Sequence, residues 1–251
     1  MRLACIVITA MSLLAAGLQS RQRSEVLVSA ASSLTNVLTA AAELYEAGTG
    51  DRVVLNFGAS NTLARQIAAG ARVDLFVSAD QAQMDRVAAQ IVPGTRVGLV
   101  GNALAIAVPD DRSGVVRSPH DLTGPQVKRI AVGDPASVPA GVYARRYLQR
   151  IGLWTGVQPK LVPSGSVRLA LAAVANGAVD AAIVYRTDIR TVSRVIEAYA
   201  VPRDQAPTIV YPAAVLAFGR SPLVARRLLD FLVGPVGAAV FERAGFVKVG
   251  G

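Results

Sequence analysis

The sequence predicts an α/β protein with mostly parallel sheets. Strand-like apolar runs alternate with stretches of helical spacing almost throughout, and short turns of small polar residues join them. With 251 residues, 52% of them hydrophobic and 17% charged, the chain can bury the core of one large domain or of two ordinary ones. The same figures exclude a disordered or coiled-coil chain.

The first residues, MRLACIVITAMSLLAAG, place one cation, Arg2, ahead of an apolar run ending at Gly17. That run is shorter than the roughly 20 residues a membrane span needs. It has the pattern of a secretory signal, expected to occupy residues 1–23 and to be removed, which places the mature protein in the periplasm or cell envelope. Cys5 is the single cysteine, so a mature chain would have neither a disulfide nor a thiol nucleophile. The net charge of +9 comes from arginines spread along the chain, with lysine only at Lys128, Lys160 and Lys248. No basic run with interleaved aromatics occurs, so nucleic acid is not an expected partner.

The chain begins with the apolar run Val26-Leu27-Val28. Small residues follow to Ser33, and then Leu34, Val37, Leu38, Ala41 and Tyr45 recur at helical spacing. Ser32 and Ser33 stand where an N-cap belongs. A helix start collects unpaired amides and about half a positive charge, so it favours an anion. No Lys or Arg lies between Glu25 and Arg52, so an anion here would rest on amides and hydroxyls.

The unit then repeats. Arg52 to Phe57 is a strand, Gly58 to Thr62 a turn with Ser60 as expected N-cap, and Leu63, Ala64, Ile67 and Ala68 a helix ended by Gly70. Asp74 to Ser78 is a short buried strand, and Asp80 is expected to cap the following helix. Leu99 to Val108 reads as one long strand stopped by Pro109, and Ser118-Pro119 opens a short helix. The strand Lys128 to Val132 runs through Gly133 and Asp134 into a helix begun by Pro139, Ala140 and Gly141. The strand Lys160 to Pro163 turns at Ser164-Gly165-Ser166 into the helix Val167 to Asn176. Asp180 to Tyr185 returns to the sheet, Ile209 to Leu216 is a strand broken by Pro212, and two helices, Pro222 to Leu232 and Val236 to Ala244, finish the chain. Neither a glycine-rich dinucleotide turn nor a P-loop appears. Four strand-to-helix junctions instead present small turns, at Ser33, Ser60, Ala140 and Val167.

With these turns and Tyr185 in view, the chain resembles the periplasmic molybdate-binding proteins of ABC uptake systems. The resemblance runs through AASSLTN, NTLARQIAAGARVDLFVSADQ, AVGDPASVPAGVYA, AAIVY, YPAAV and GPVGAAVFERAGF, in that order. It implies a type II periplasmic-binding-protein fold: two lobes, each a mixed, mostly parallel sheet flanked by helices, with the ligand in the cleft. The implied lobes are 24–104 with 214–251, and 105–213, with chain crossings near Ala103 to Ala107 and Tyr211 to Leu216. The implied ligand is molybdate or tungstate, contacted as an oxyanion, with no direct metal ligation, by Ser33, Ser60, Ala140, Val167 and Tyr185. No further cofactor is implied, nor any catalytic residue. The implied partners are a membrane permease and its ATPase, and a monomer is expected. Arg186, directly after the tyrosine, is expected to face solvent.

Independently of the resemblance, four helix starts aimed at one point would roughly balance a dianion. A pocket made only of donors accepts molybdate, tungstate or sulfate but leaves the O–H of hydrogen phosphate without an acceptor. Two rivals stand beside this reading. One is a binding protein for sulfate or phosphate on the same scaffold. The other is an exported hydrolase with Ser33 as nucleophile, which lacks both a G-x-S-x-G turn and a placed base, His120 being the single histidine and expected at the surface.

Overall fold

In the computed structural model, which describes residues 23–249, the strands form two five-stranded sheets. The first has the order β2-β1-β3-β10-β4, built from β1 (Glu25–Ala31), β2 (Arg52–Gly58), β3 (Leu75–Val77), β4 (Val97–Asn102) and β10 (Ile209–Val215). The second has the order β7-β6-β8-β5-β9, built from β5 (Leu104–Pro109), β6 (Ile130–Gly133), β7 (Leu161–Ser164), β8 (Ala181–Tyr185) and β9 (Val195–Ala200). The two orders are the same pattern. In each sheet three neighbours run parallel, and a fourth strand lies antiparallel between them and the edge strand: β10 in the first sheet, β5 in the second. Four of five strands therefore share a direction in each, and the expected mixed, mostly parallel α/β architecture is present. The signal segment, with Cys5, falls outside the described residues apart from Arg23.

Helices flank both sheets: α1 (Thr35–Thr49), α2 (Ser60–Ala68) and α3 (Gln81–Asp85) from the first half, and α4 (Pro139–Arg150), α5 (Trp154–Val157), α6 (Val167–Ala175) and α7 (Arg186–Ile189) from the second, with α8 (Pro222–Val233) and α9 (Pro235–Arg243) closing the chain. Each longer helix buries one apolar stripe. In α1 it is Val37, Leu38, Ala41 and Tyr45, and in α4 it is Tyr143, Ala144, Tyr147 and Leu148. The three central strands of the second sheet, β6, β8 and β5, are buried on both faces, and Leu104 to Val108 are all fully inaccessible.

The chain changes sheet at Ala103 and again between Ala200 and Ile209. Leu99 to Val108 is therefore two strands in different sheets, where the sequence suggested one. β5 is buried along its whole length and β4 only in part, and the mark of the break within this apolar run is Gly101-Asn102 just ahead of it. On the return, β10 lies wholly in the first sheet, so residues 209–213 belong with it and not, as expected, with the second lobe. Pro212 does not break β10. The register slips between Tyr211 and Pro212, and this bulge absorbs the missing amide. Strand β9, with its half-buried edge sequence VIEAYA, was not anticipated.

Candidate functional site

The corresponding positions of the two sheets supply the site. The junctions after β1 and β2 in the first sheet match those after β6 and β7 in the second, and all four lie at the carboxyl ends of parallel strands, where open α/β sheets place ligands. Ser33, Ser60, Ala140, Val167 and Tyr185 all line one small chamber between the lobes, together with Ala31, Ser32, Gly58, Ala59, Ala79, Val138 and Pro139. About 200 Å³ there is free of atoms, of which about 10 Å³ admits the centre of a water-sized sphere. That is room for roughly one water, so the walls must part slightly for anything larger.

Each helix start contributes amides that its own helix cannot pair. In α6 the Ser166 side chain caps the Leu169 N–H at 3.2 Å, which leaves those of Val167 and Arg168 without an intrahelical acceptor. In α4 Pro139 occupies the first turn with Ala140 next. The start of α4 is pressed against the end of β6: a Cβ on Gly141 would overlap the carbonyl oxygen of Gly133. Only glycine permits that approach, and Ala140 beside it lines the chamber. The turn before it is shaped by Asp134, which accepts from the Ala136 N–H at 2.9 Å and the Ser137 hydroxyl at 2.9 Å.

The two serines act differently from the expectation that they are N-caps. Ser32 to Leu34 form a 3₁₀ turn ahead of α1, and no side chain caps either segment. Ser60 is the first residue of α2, with Ala59 in the cap position. Both hydroxyls instead bond across elements. Ser60 Oγ accepts from the Ala79 N–H at 2.9 Å, so its own hydrogen is free to donate. Ser33 Oγ lies 3.0 Å from the Tyr211 hydroxyl. The side-chain amide of Asn102 donates to that hydroxyl at 3.3 Å and to Thr187 Oγ1 at 2.9 Å, its orientation fixed by the Ala103 N–H donating to Asn102 Oδ1 at 2.8 Å. The caps expected at Asp80 and Ser118-Pro119 are present: Asp80 accepts from the Gln83 N–H, and Asp121 accepts from the Ser118 N–H.

Tyr185, at the end of β8, is 1% exposed, and its hydroxyl has no hydrogen-bond partner among the described residues. A buried hydroxyl without a partner costs free energy, so its place in the chamber wall asks for an acceptor there. Burial first, then the nearby Tyr211, pushes its pKa well above the ordinary value, so it stays a neutral donor. Its ring packs against Tyr211 with centroids 5.7 Å apart, and Tyr211 in turn meets Phe246 edge-on.

Arg186 points away from the chamber, with Nε 2.7 Å from Glu197. His120 is exposed. Among the described residues no group of three or more His, Cys, Asp or Glu could hold a metal ion, and no helix is long and apolar enough to cross a membrane. Sequence reasoning missed Asn102, Tyr211 and Arg168. Arg168 had a local signal, since it directly follows Val167 at the fourth turn. The other two are brought in by the sheet crossings and had none.

Two matched sheets with small polar helix starts facing a common cleft define a solute-binding protein. Residues 26–247 match the family described as bacterial extracellular solute-binding protein, and the chain belongs to that family, whose members bind solutes for transport and are not enzymes. Its relatives bear out the resemblance read from the sequence. The chain is 38% identical over 243 residues to the molybdate-binding protein ModA of Escherichia coli K12, covering 94% of each, and 32% identical over 246 residues to ModA of Haemophilus influenzae, covering 95% and 96%. The solved periplasmic molybdate-binding protein of Azotobacter vinelandii matches with a TM-score of 0.82 at 25% identity, over 89% of this chain and 99% of that one.

Proposed function

We propose that the chain captures molybdate, and tungstate by the same chemistry, in the chamber between its lobes, and delivers it outside the cytoplasmic membrane to an ABC permease driven by its ATPase. Ser33 and Ser60 hydroxyls, the amides of Ala140 and Val167 and the Tyr185 hydroxyl hold the oxyanion, and the protein works as a monomer. The observation that carries this reading is the unpartnered Tyr185 hydroxyl in a chamber lined by all five residues. The names of the relatives support molybdate as the ligand.

The electrostatics fit a doubly negative guest. Four helix starts of nine or more residues supply about half a charge each. Charge-assisted bonds to oxygen add about 1.5–3 kcal/mol apiece before desolvation and closure are subtracted. All five groups donate, and a guest with acceptors only satisfies each of them.

The test is a thermal-shift and titration panel of molybdate, tungstate, sulfate and phosphate on the purified protein. A ligand at 100 times its dissociation constant stabilises by about 2.7 kcal/mol. Molybdate and tungstate are expected to give the largest shifts and phosphate none. A larger shift with sulfate or phosphate would replace molybdate by that anion, and no shift with any of the four would overturn the anion site.

A further inference from the structure

Beside the chamber, one cation ties the two lobes together. Arg168 belongs to α6 of the second lobe, where Nη1 donates to Thr191 Oγ1 at 2.9 Å. Nε lies 2.7 Å from Asp188 Oδ1, an ion-pair distance at which the N–H is not aimed squarely at the oxygen. The remaining amino group reaches out of its own lobe: Nη2 donates to the carbonyl oxygen of Ser33, in the first lobe, at 3.3 Å. Asp188 is fully buried and Arg168 about three-quarters buried, so little solvent screens this pair.

We propose that Arg168 is a positioning residue for the anion site: pinned within the second lobe by Asp188 and Thr191, it latches the Ser33 turn of the first lobe when the cleft is closed. The inference rests on the reading of the chamber as the anion site but concerns a residue outside it. Arg168 does not line the chamber, and its charge is matched by Asp188, so its work is geometric. The contact to the Ser33 carbonyl exists only while the lobes are together, so it stabilises the closed form by its full strength and the open form not at all. It also holds the backbone from which the Ser33 hydroxyl projects. A guanidinium suits this task because its planar fork serves three oxygens in fixed directions, which an ammonium group cannot do.

The latch predicts where an affinity loss appears. Dissociation requires opening and should accelerate, whereas association starts from the open form and should not change. Replacing Arg168 alone strands a buried carboxylate, so the informative protein is the double variant Arg168→Met with Asp188→Asn. Stopped-flow mixing with sodium molybdate is expected to show dissociation at least about tenfold faster than wild type with an unchanged association rate. Arg168→Lys should recover only part of the loss. In parallel, spin labels at positions 86 and 146, which line one groove from the first and the second lobe, report closure without any anion, in a chain whose Cys5 is replaced by Ser. The ligand-free double variant should shift to longer label distances. Wild-type dissociation rates in the double variant, or label distances equal to wild type, would overturn the latch. If wild type itself binds no molybdate, the anion reading falls, and the ligand-free distances still decide the latch.

Discussion

The hydroxyl oxygens of Ser33 and Tyr211 lie 3.0 Å apart although 178 residues separate them in the chain. Because the Asn102 amide donates to Tyr211, the tyrosine can pass its own hydrogen to Ser33 Oγ, which leaves the serine hydrogen free for the chamber. The relay begins at the last residue of β4, next to the point where the chain leaves the first sheet, and ends in the anion site. Asn102 also bonds Thr187 of the second lobe, so the sheet crossing and the site share one polar network.

Tyr211→Phe should therefore affect two properties. Asn102 loses an acceptor in a part-buried setting, at a cost of about 1 kcal/mol in urea unfolding. Ser33 loses its donor and turns its own hydrogen elsewhere, so molybdate affinity by calorimetry should fall as well. A stability loss with wild-type affinity would disconnect the relay from binding.

Ser33→Ala and Ser60→Ala should each weaken molybdate binding about tenfold or more, with cooperative unfolding retained. Ser60→Ala should cost more stability than Ser33→Ala, because the Ala79 amide loses its acceptor and stays buried. Calorimetry and thermal melts on both variants check the pair.

Tyr185→Phe has the opposite sign for stability. The hydroxyl has no partner among the described residues, so its removal should leave the ligand-free melting temperature unchanged or higher while molybdate affinity drops about tenfold or more. A lower ligand-free melting temperature would mean that the hydroxyl has a structural partner.

Burial raises the Asp188 carboxyl from its ordinary 3.8 to about 6, and the Arg168 charge opposes that rise only in part. The folded state then holds this proton more tightly than the unfolded chain does. The group thus favours folding most below pH about 4, and its contribution falls by about 1.4 kcal/mol per pH unit up to about 6. Asp188→Asn should flatten that part of the stability profile, as read from urea melts at pH about 4 and about 7.

What the sequence made legible was local. A run of small polar residues between an apolar strand and a 3.6-residue period is a short-range pattern, and it leads to Ser33, Ser60, Ala140 and Val167, which line the chamber. Tyr185 ends a strand of five buried residues and is equally visible. The hydroxyl roles were not legible, because a serine at a helix start defaults to capping unless a distant group claims it, and Ala79 and Tyr211 are distant. The break at Ala103 had only Gly101-Asn102 as its mark, because apolar residues resume at once in the fully buried β5. Edge strand β9 failed on composition, since half-exposed Glu197 and Tyr199 blur its alternation.

The central claim is that peptide amides and neutral hydroxyls, not cationic side chains, hold the oxyanion between the lobes. The most direct test is a crystal structure of the molybdate complex, with the metal located by its anomalous scattering. The account predicts oxygens of the anion at hydrogen-bond distance from Ser33 Oγ, Ser60 Oγ, the amide nitrogens of Ala140 and Val167 and the Tyr185 hydroxyl, with Arg168 still on the Ser33 carbonyl. An anion gripped by guanidinium nitrogens, or seated away from Tyr185, would contradict it.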